Sequence, residues 1–187
     1  MKNIAIFLGL AILVSYGCSS KLRRSDSKLK KIETPFDQGK YYSNKKNFRS
    51  TGEGRAKDLT VAKRIAETNA RQAIASQMEV KVRSVGEQFL QNRAISNKLE
   101  TTSKYEDITR TVIDEVLTNI KIIGQESYQS KRGGEYVHYV AMEMSTSEVG
   151  KRVIDEIDAD QELKQDFDLE KFRKIYEEEL ENFKNGN

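Results

Sequence analysis

His138 and Cys18 are the only histidine and the only cysteine in a chain of 187 residues that also holds 29 acids and 32 lysines and arginines. That inventory narrows the available chemistry. A zinc or iron site needs three or four converging ligands, commonly with more than one His or Cys, and no such set can be assembled. A Ser nucleophile would lean on His138 alone, and no G-x-S-x-G elbow presents one. Carboxylates adjoin at Asp155 with Glu156 and from Glu177 to Glu179. On amphipathic helices these read as solvated faces, and no glycosidase pair stands out. His138, between Tyr136 and Val140 on an alternating stretch, reads as a packed or rim histidine. Gly52, Gly54 and Lys57 form G-x-G-x-x-K between a strand and a helix, where backbone N–H groups can hold a phosphate. The run lacks the third glycine of the dinucleotide fingerprint and the Gly-Lys-Ser/Thr ending of a P-loop. The competing reading is that these glycines admit a close helix or a bulge. No catalytic residue, cofactor or metal is assigned; a small-ligand-binding protein or an enzyme with a cleft beside Gly52 and Gly54 is the alternative function.

The stretch from Phe48 to Val82 must position whatever the chain uses. Phe48, Ser50, Gly52 and Gly54 share one strand face by the period of two, and Arg49, Thr51, Glu53 and Arg55 the other. Asp58 is a good N-cap, after which Leu59, Ala62, Ala66, Ala70, Ala73, Ile74 and Gln77 form a helical stripe. Alanines there let a helix lie close on a sheet. Beyond it, Met78, Val80 and Val82 alternate with Glu79, Lys81 and Arg83, which suits a second strand, with continued helix as the alternative. The switch is placed near Met78 to Lys81.

Before this block, Ile32 to Asn47 carries the only proline, Pro35, with Phe36, Gly39, Tyr41 and Tyr42, and reads as an irregular lead-in wrapping onto the domain. After it, Gln88 to Thr101 reads as loop or frayed strand. Ser103 with Glu106 forms a capping box for a helix ending near Thr118, with Tyr105, Ile108, Val112, Ile113 and Val116 as its apolar stripe. Ile120 to Ser130 and Glu135 to Met144 flank Lys131-Arg132-Gly133-Gly134, a hairpin signal. Ser145 with Glu148 caps a helix through Val149, Val153 and Ile157, and Asp168 caps a last one through Leu169, Phe172, Ile175, Tyr176, Leu180 and Phe183. The order predicts an α+β fold: a small antiparallel or mixed sheet, the alanine-rich helix packed on one face, and C-terminal helices.

The N-terminus speaks to compartment. Lys2 precedes an apolar run from Ile4 to Val14, a secretory signal too short to span a bilayer, with a retained signal anchor as the alternative. Ser15-Tyr16-Gly17-Cys18 resembles a bacterial lipobox. By that resemblance residues 1–17 are removed, Cys18 receives diacylglycerol, and its new amino group is acylated. Two or three acyl chains hold a protein on a membrane essentially permanently. With Cys18 so used, no thiol is left for disulfide or catalysis. Ser19 and Ser20, with no Asp in second place, point by resemblance to the outer membrane, and Lys21, Arg23 and Arg24 to its periplasmic leaflet. Residues 18–31 hold six bases against Asp26 alone and read as a tether, either a solvated spacer or a contact for anionic headgroups. The net charge of +3 argues against a nucleic-acid partner.

The block from Thr51 to Met78, the stretch from Thr109 to Gln125 and the strand from Glu135 to Ser145, behind a lipobox, resemble the LPP20 family of bacterial lipoproteins. The likeness covers residues 48–147. Its most specific part is the G-x-G strand entering an A-x-x-x-A-x-x-x-A helix with Asn69-Ala70-Arg71. The resemblance implies an LPP20-like α+β domain over residues 32–160, followed by an acidic amphipathic helix in residues 161–187. It also implies a non-catalytic structural or protein-interaction lipoprotein of the outer membrane. Expected partners are the membrane, through Cys18, and another protein or further copies of the chain.

Overall fold

The computed structural model describes residues 32–91, 97–131 and 133–181. The expected signal segment and tether, Cys18, Arg132 and the last residues, Phe183 among them, lie outside the described residues. Strand β1 (Asn47–Ala56) leads into the long helix α1 (Leu59–Gln91), then α2 (Lys98–Val116), strands β2 (Lys121–Gln129) and β3 (Tyr136–Ser145), and helices α3 (Thr146–Ala159), α4 (Gln161–Asp166) and α5 (Leu169–Glu181). The sheet is antiparallel in the order β1-β3-β2, with α1 on one face, so the fold is α+β.

Helix α1 begins as its cap requires, the Asp58 carboxylate accepting the Val61 N–H at 3.0 Å. It does not stop at Met78. The second strand expected there is a correction: the stripe Ala62, Ala66, Ala70, Ile74 runs on through Met78, Val82, Val85 and Phe89, all buried, while Val80 is 71% exposed. The alternation of Met78, Val80 and Val82 was real, but two of its members also fit the helical period, and the helical contacts won. Small residues cover the sheet in the first half of the stripe; large ones in the second half gather α2 and α5.

A second correction concerns the start of α2. Gln88 to Gln91 is helix, and α2 opens at Lys98 behind Asn97, whose side chain makes no capping bond to the backbone. Ser103 lies inside the helix. Thr101 and Thr102 bond back to the carbonyls of Asn97 and Lys98, and Thr101 also donates to Asp166 of α4 at 3.0 Å, which carries the helix backward past the predicted box. The hairpin and the caps at Ser145 and Asp168 stand as expected: Ser145 Oγ accepts from the Glu148 N–H at 3.4 Å, and Asp168 from the Lys171 N–H at 3.1 Å.

Helix α5 shares the core. Phe89 stacks on Phe167 at 4.5 Å between centroids and meets Phe172 edge-on at 5.8 Å. Two tyrosines lock helices by the same device. The Tyr105 ring lies over Gly86 and its hydroxyl donates to the Val82 carbonyl at 2.7 Å; the Tyr176 ring lies over Gly150 and donates to the Thr146 carbonyl at 2.7 Å. In each case the acceptor sits four residues before the glycine, so a bare turn of helix both seats the ring and holds its polar end.

Candidate functional site

The glycine pair is the first place to look, because an exposed Gly-x-Gly before a helix could cradle an anion. Phe48, Ser50, Gly52 and Gly54 do face α1, as their period predicts. A methyl at Gly52 would stand 2.1 Å from the Ala66 carbonyl oxygen, and one at Gly54 2.1 Å from that of Ala62. The space beside both glycines is therefore filled by helix backbone. The nearest atoms are the Ala66 and Ala62 carbonyl oxygens, with the Ala70 and Ala66 backbone nitrogens behind them, and an anion has no room on that face of the glycines.

His138 lies on β3 opposite Gly54, beneath the same helix, and is 1% exposed. Its Nδ1 is 2.7 Å from the Ser127 hydroxyl of β2, a pairing the sequence did not announce because it depends on hairpin register. A serine beside a histidine raises the question of nucleophilic catalysis. Among the described residues Nε2 is buried with no hydrogen-bond partner, so no carboxylate is bonded to the ring to orient it. Burial lowers the His138 pKa, Lys63 lowers it further, and Glu67 offsets part of this. An imidazole that resists protonation in this way is a poor acceptor for a serine proton. The pair acts as a polar pin between β2 and β3.

The carboxylates divide similarly. Glu179 accepts from Gln88 at 2.5 Å and from Lys81 at 3.0 Å, tying α5 to α1. The Gln88 bond and the Lys81 ammonium hold its carboxyl below the usual range, against the opposing effect of burial. Asp155 is exposed and Glu156 half-buried on α3. Among the described residues no group of three or more His, Cys, Asp or Glu could hold a metal ion, and no helix is long and apolar enough to cross a membrane. A recess of about 170 Å³ lies between α1 and α2 over Ala75, Tyr105 and Ile113, rimmed by Glu79, Arg83 and Arg110.

The β1 edge is covered in part by α1 and the lead-in, which the sequence did not announce. Asn69 of α1 donates to the Glu53 carbonyl at 2.8 Å and Gln77 to the Arg49 carbonyl at 3.1 Å. Ser43 of the lead-in accepts the Arg49 N–H at 2.7 Å. The signal was present in part: Asn69 lies one flank over from the alanine stripe, and Gln77, expected on that stripe, instead reaches the β1 edge. The lead-in also reaches the sheet face that α1 leaves open, where the Phe36 ring lies over Gly124 and packs edge-on with Tyr41 at 4.9 Å.

No protein-family model, curated protein or solved structure matches the chain.

Proposed function

We propose that this chain is a lipid-anchored, non-catalytic protein-interaction module, held through Cys18 at the periplasmic face of an outer membrane. The observation that carries the reading is the place of the sole cysteine, directly after Ser15-Tyr16-Gly17 and an apolar run too short to span a bilayer. The resemblance to LPP20 lipoproteins supports the same assignment. What the domain adds in support is local: the glycine faces are packed against α1, the Ser127–His138 contact pins β2 to β3, and Glu179 of α5 ties that helix to α1. Confinement of every copy to one surface raises effective concentration and favours modest protein contacts without any new bond.

The test has two arms. Cys18→Ser should abolish metabolic labelling with palmitate and leave an uncleaved precursor; labelling that persists overturns the anchor. Crosslinking in cells should give the lipidated form a reproducible protein partner, itself included, and give less of it with the Cys18→Ser form. Absence of any protein crosslink overturns the interaction role.

A further inference from the structure

The order β1-β3-β2 leaves two free sheet edges, and backbone alternation shows which residues face out of each. Arg49 and Glu53 give their carbonyls to Gln77 and Asn69, away from β3, and Asn47 exchanges both its backbone bonds with Asn44. Odd-numbered residues of β1 therefore point outward. Even-numbered ones bond to β3, a pattern continued by the Thr146 N–H donating to the Lys46 carbonyl at 3.0 Å. Across the register, His138, Val140 and Met142 turn to β1, while Val137, Tyr139 and Ala141 turn to β2. In β2 the inward residues are then Gly124, Glu126 and Tyr128, in step with the Ser130 N–H donating to the Glu135 carbonyl at 2.9 Å. Gln125, Ser127 and Gln129 hold their backbone groups outward.

The two edges are treated differently. On β1, Asn44, Ser43, Gln77 and Asn69 cover the outward groups of Asn47 and Arg49 and the Glu53 carbonyl. Among the described residues no side chain reaches the outward backbone of Gln125, Ser127 or Gln129, and all of Gln125–Gln129 is exposed. No proline or lysine blunts that run, the usual guard on a free edge.

We propose that this edge pairs with the same strand of a second copy, β2 against β2 across a two-fold axis, joining two three-stranded sheets into one. The proposal rests on the interaction reading above and names its surface. Charge and register choose the occupant and the axis. Outward residues must oppose outward residues. An axis through Glu126 sets that carboxylate directly against its own copy, which is unfavourable. An axis through Gln125 runs into the bulge between Ile122 and Gly124, and one through Tyr128 pairs only Ser127 with Gln129. An axis through Ser127 opposes Ser127 to itself and Gln125 to Gln129 on both sides. It also places Glu126 against Tyr128 of the other copy, a carboxylate–phenol match already made within the strand. Every outward residue is paired and no charge meets its like. A contact this short and polar is weak in dilute solution and firm where copies share a surface.

The experiment uses the full chain, purified in detergent on a Cys18→Ser background so that an introduced thiol is the only one. Directly opposed hydrogen-bonded residues of an antiparallel pair lie about 5.5 Å apart at Cα, within disulfide range. Mixed Gln125→Cys and Gln129→Cys chains should yield a disulfide dimer on oxidation, at least ten-fold more than either alone. Gln125→Pro removes an outward N–H and no bond to β3; it should keep the far-ultraviolet spectrum and weaken concentration-dependent association at least ten-fold in sedimentation. No mixed disulfide at any concentration, or association unchanged by Gln125→Pro, overturns the edge pairing. Protein crosslinks that persist in cells alongside such a result leave the interaction reading standing on another surface; their absence removes both.

Discussion

Replacing Gly52 by alanine adds one methyl group at the closest approach of strand and helix. Its carbon would stand 2.1 Å from the Ala66 carbonyl oxygen and 2.8 Å from the Ala70 amide nitrogen. Ordinary carbon–oxygen contacts lie at about 3.3–3.6 Å, so α1 must rise by roughly 1 Å or more. Neither partner is the end of a flexible side chain, and Ala62, Ala66 and Ala70 are all fully buried. Overpacking costs about 1–3 kcal/mol in general, and a backbone-on-backbone clash belongs at the upper end. The same lift stretches the Asn69–Glu53 and Gln77–Arg49 bonds, each worth about 1 kcal/mol. Against this, alanine narrows the unfolded ensemble by about 0.4–1 kcal/mol. The net loss is about 2–4 kcal/mol, which for a chain of this size lowers Tm by roughly 5–15 °C. Gly39→Ala is the matched control, since nothing lies within 4 Å of its added methyl and its φ is not in the left-handed region. Thermal unfolding followed by circular dichroism at neutral pH compares the two. A Gly52→Ala chain melting within about 2 °C of Gly39→Ala would refute the close-packing argument.

Other substitutions probe the remaining contacts. Tyr105→Phe and Tyr176→Phe each remove one buried hydroxyl-to-carbonyl bond and should cost about 1 kcal/mol in denaturant unfolding. Gly86→Ala should cost more than Tyr105→Phe, because its methyl would fall 2.0 Å from a ring carbon of a buried tyrosine. The lowered pKa of His138 means that the unfolded chain takes up the proton first as pH falls. Stability is therefore full above the ordinary histidine value and is lost as pH falls from there through the lowered folded-state value. The urea midpoint of the wild type should decline over that window, and that of His138→Phe should not. Arg71→Ala should lower Tm measurably, since Arg71 donates to the Leu117 carbonyl at 2.9 Å and ties the end of α2 to α1.

The sheet face of β1, the alanine stripe, the hairpin and the last two long helices were legible because each carries its period over many residues. Gly52 and Gly54 alternate with charged neighbours, and Ala62, Ala66 and Ala70 recur every fourth residue. The failures came where local patterns competed. Met78, Val80 and Val82 satisfy the strand period, but Val82, Val85 and Phe89 need α2 and α5 as partners, and those partners come from residues 98–181. Ser103 and Glu106 form a sound local box that Thr101 and Asp166 override from another helix. The Ser127–His138 contact and the partial covering of β1 by Asn69 and Gln77 depend on register and on which flank of α1 faces the edge, and neither quantity has a local signature.

The partly covered and the open edge have one origin in the way α1 crosses the sheet. A helix seated over Gly52 and Gly54 covers β1 and β3, and the flank that carries Asn69 and Gln77 then overhangs the β1 edge, where two side-chain amides meet two outward carbonyls. The opposite flank carries Lys63 and Glu67, which act on His138 of β3. Because β2 joins the sheet only through β3, it lies beyond the helix's cover, and its exposure follows from topology more than from composition. A partner strand can close that edge with the same backbone bonds that β3 supplies on the other side.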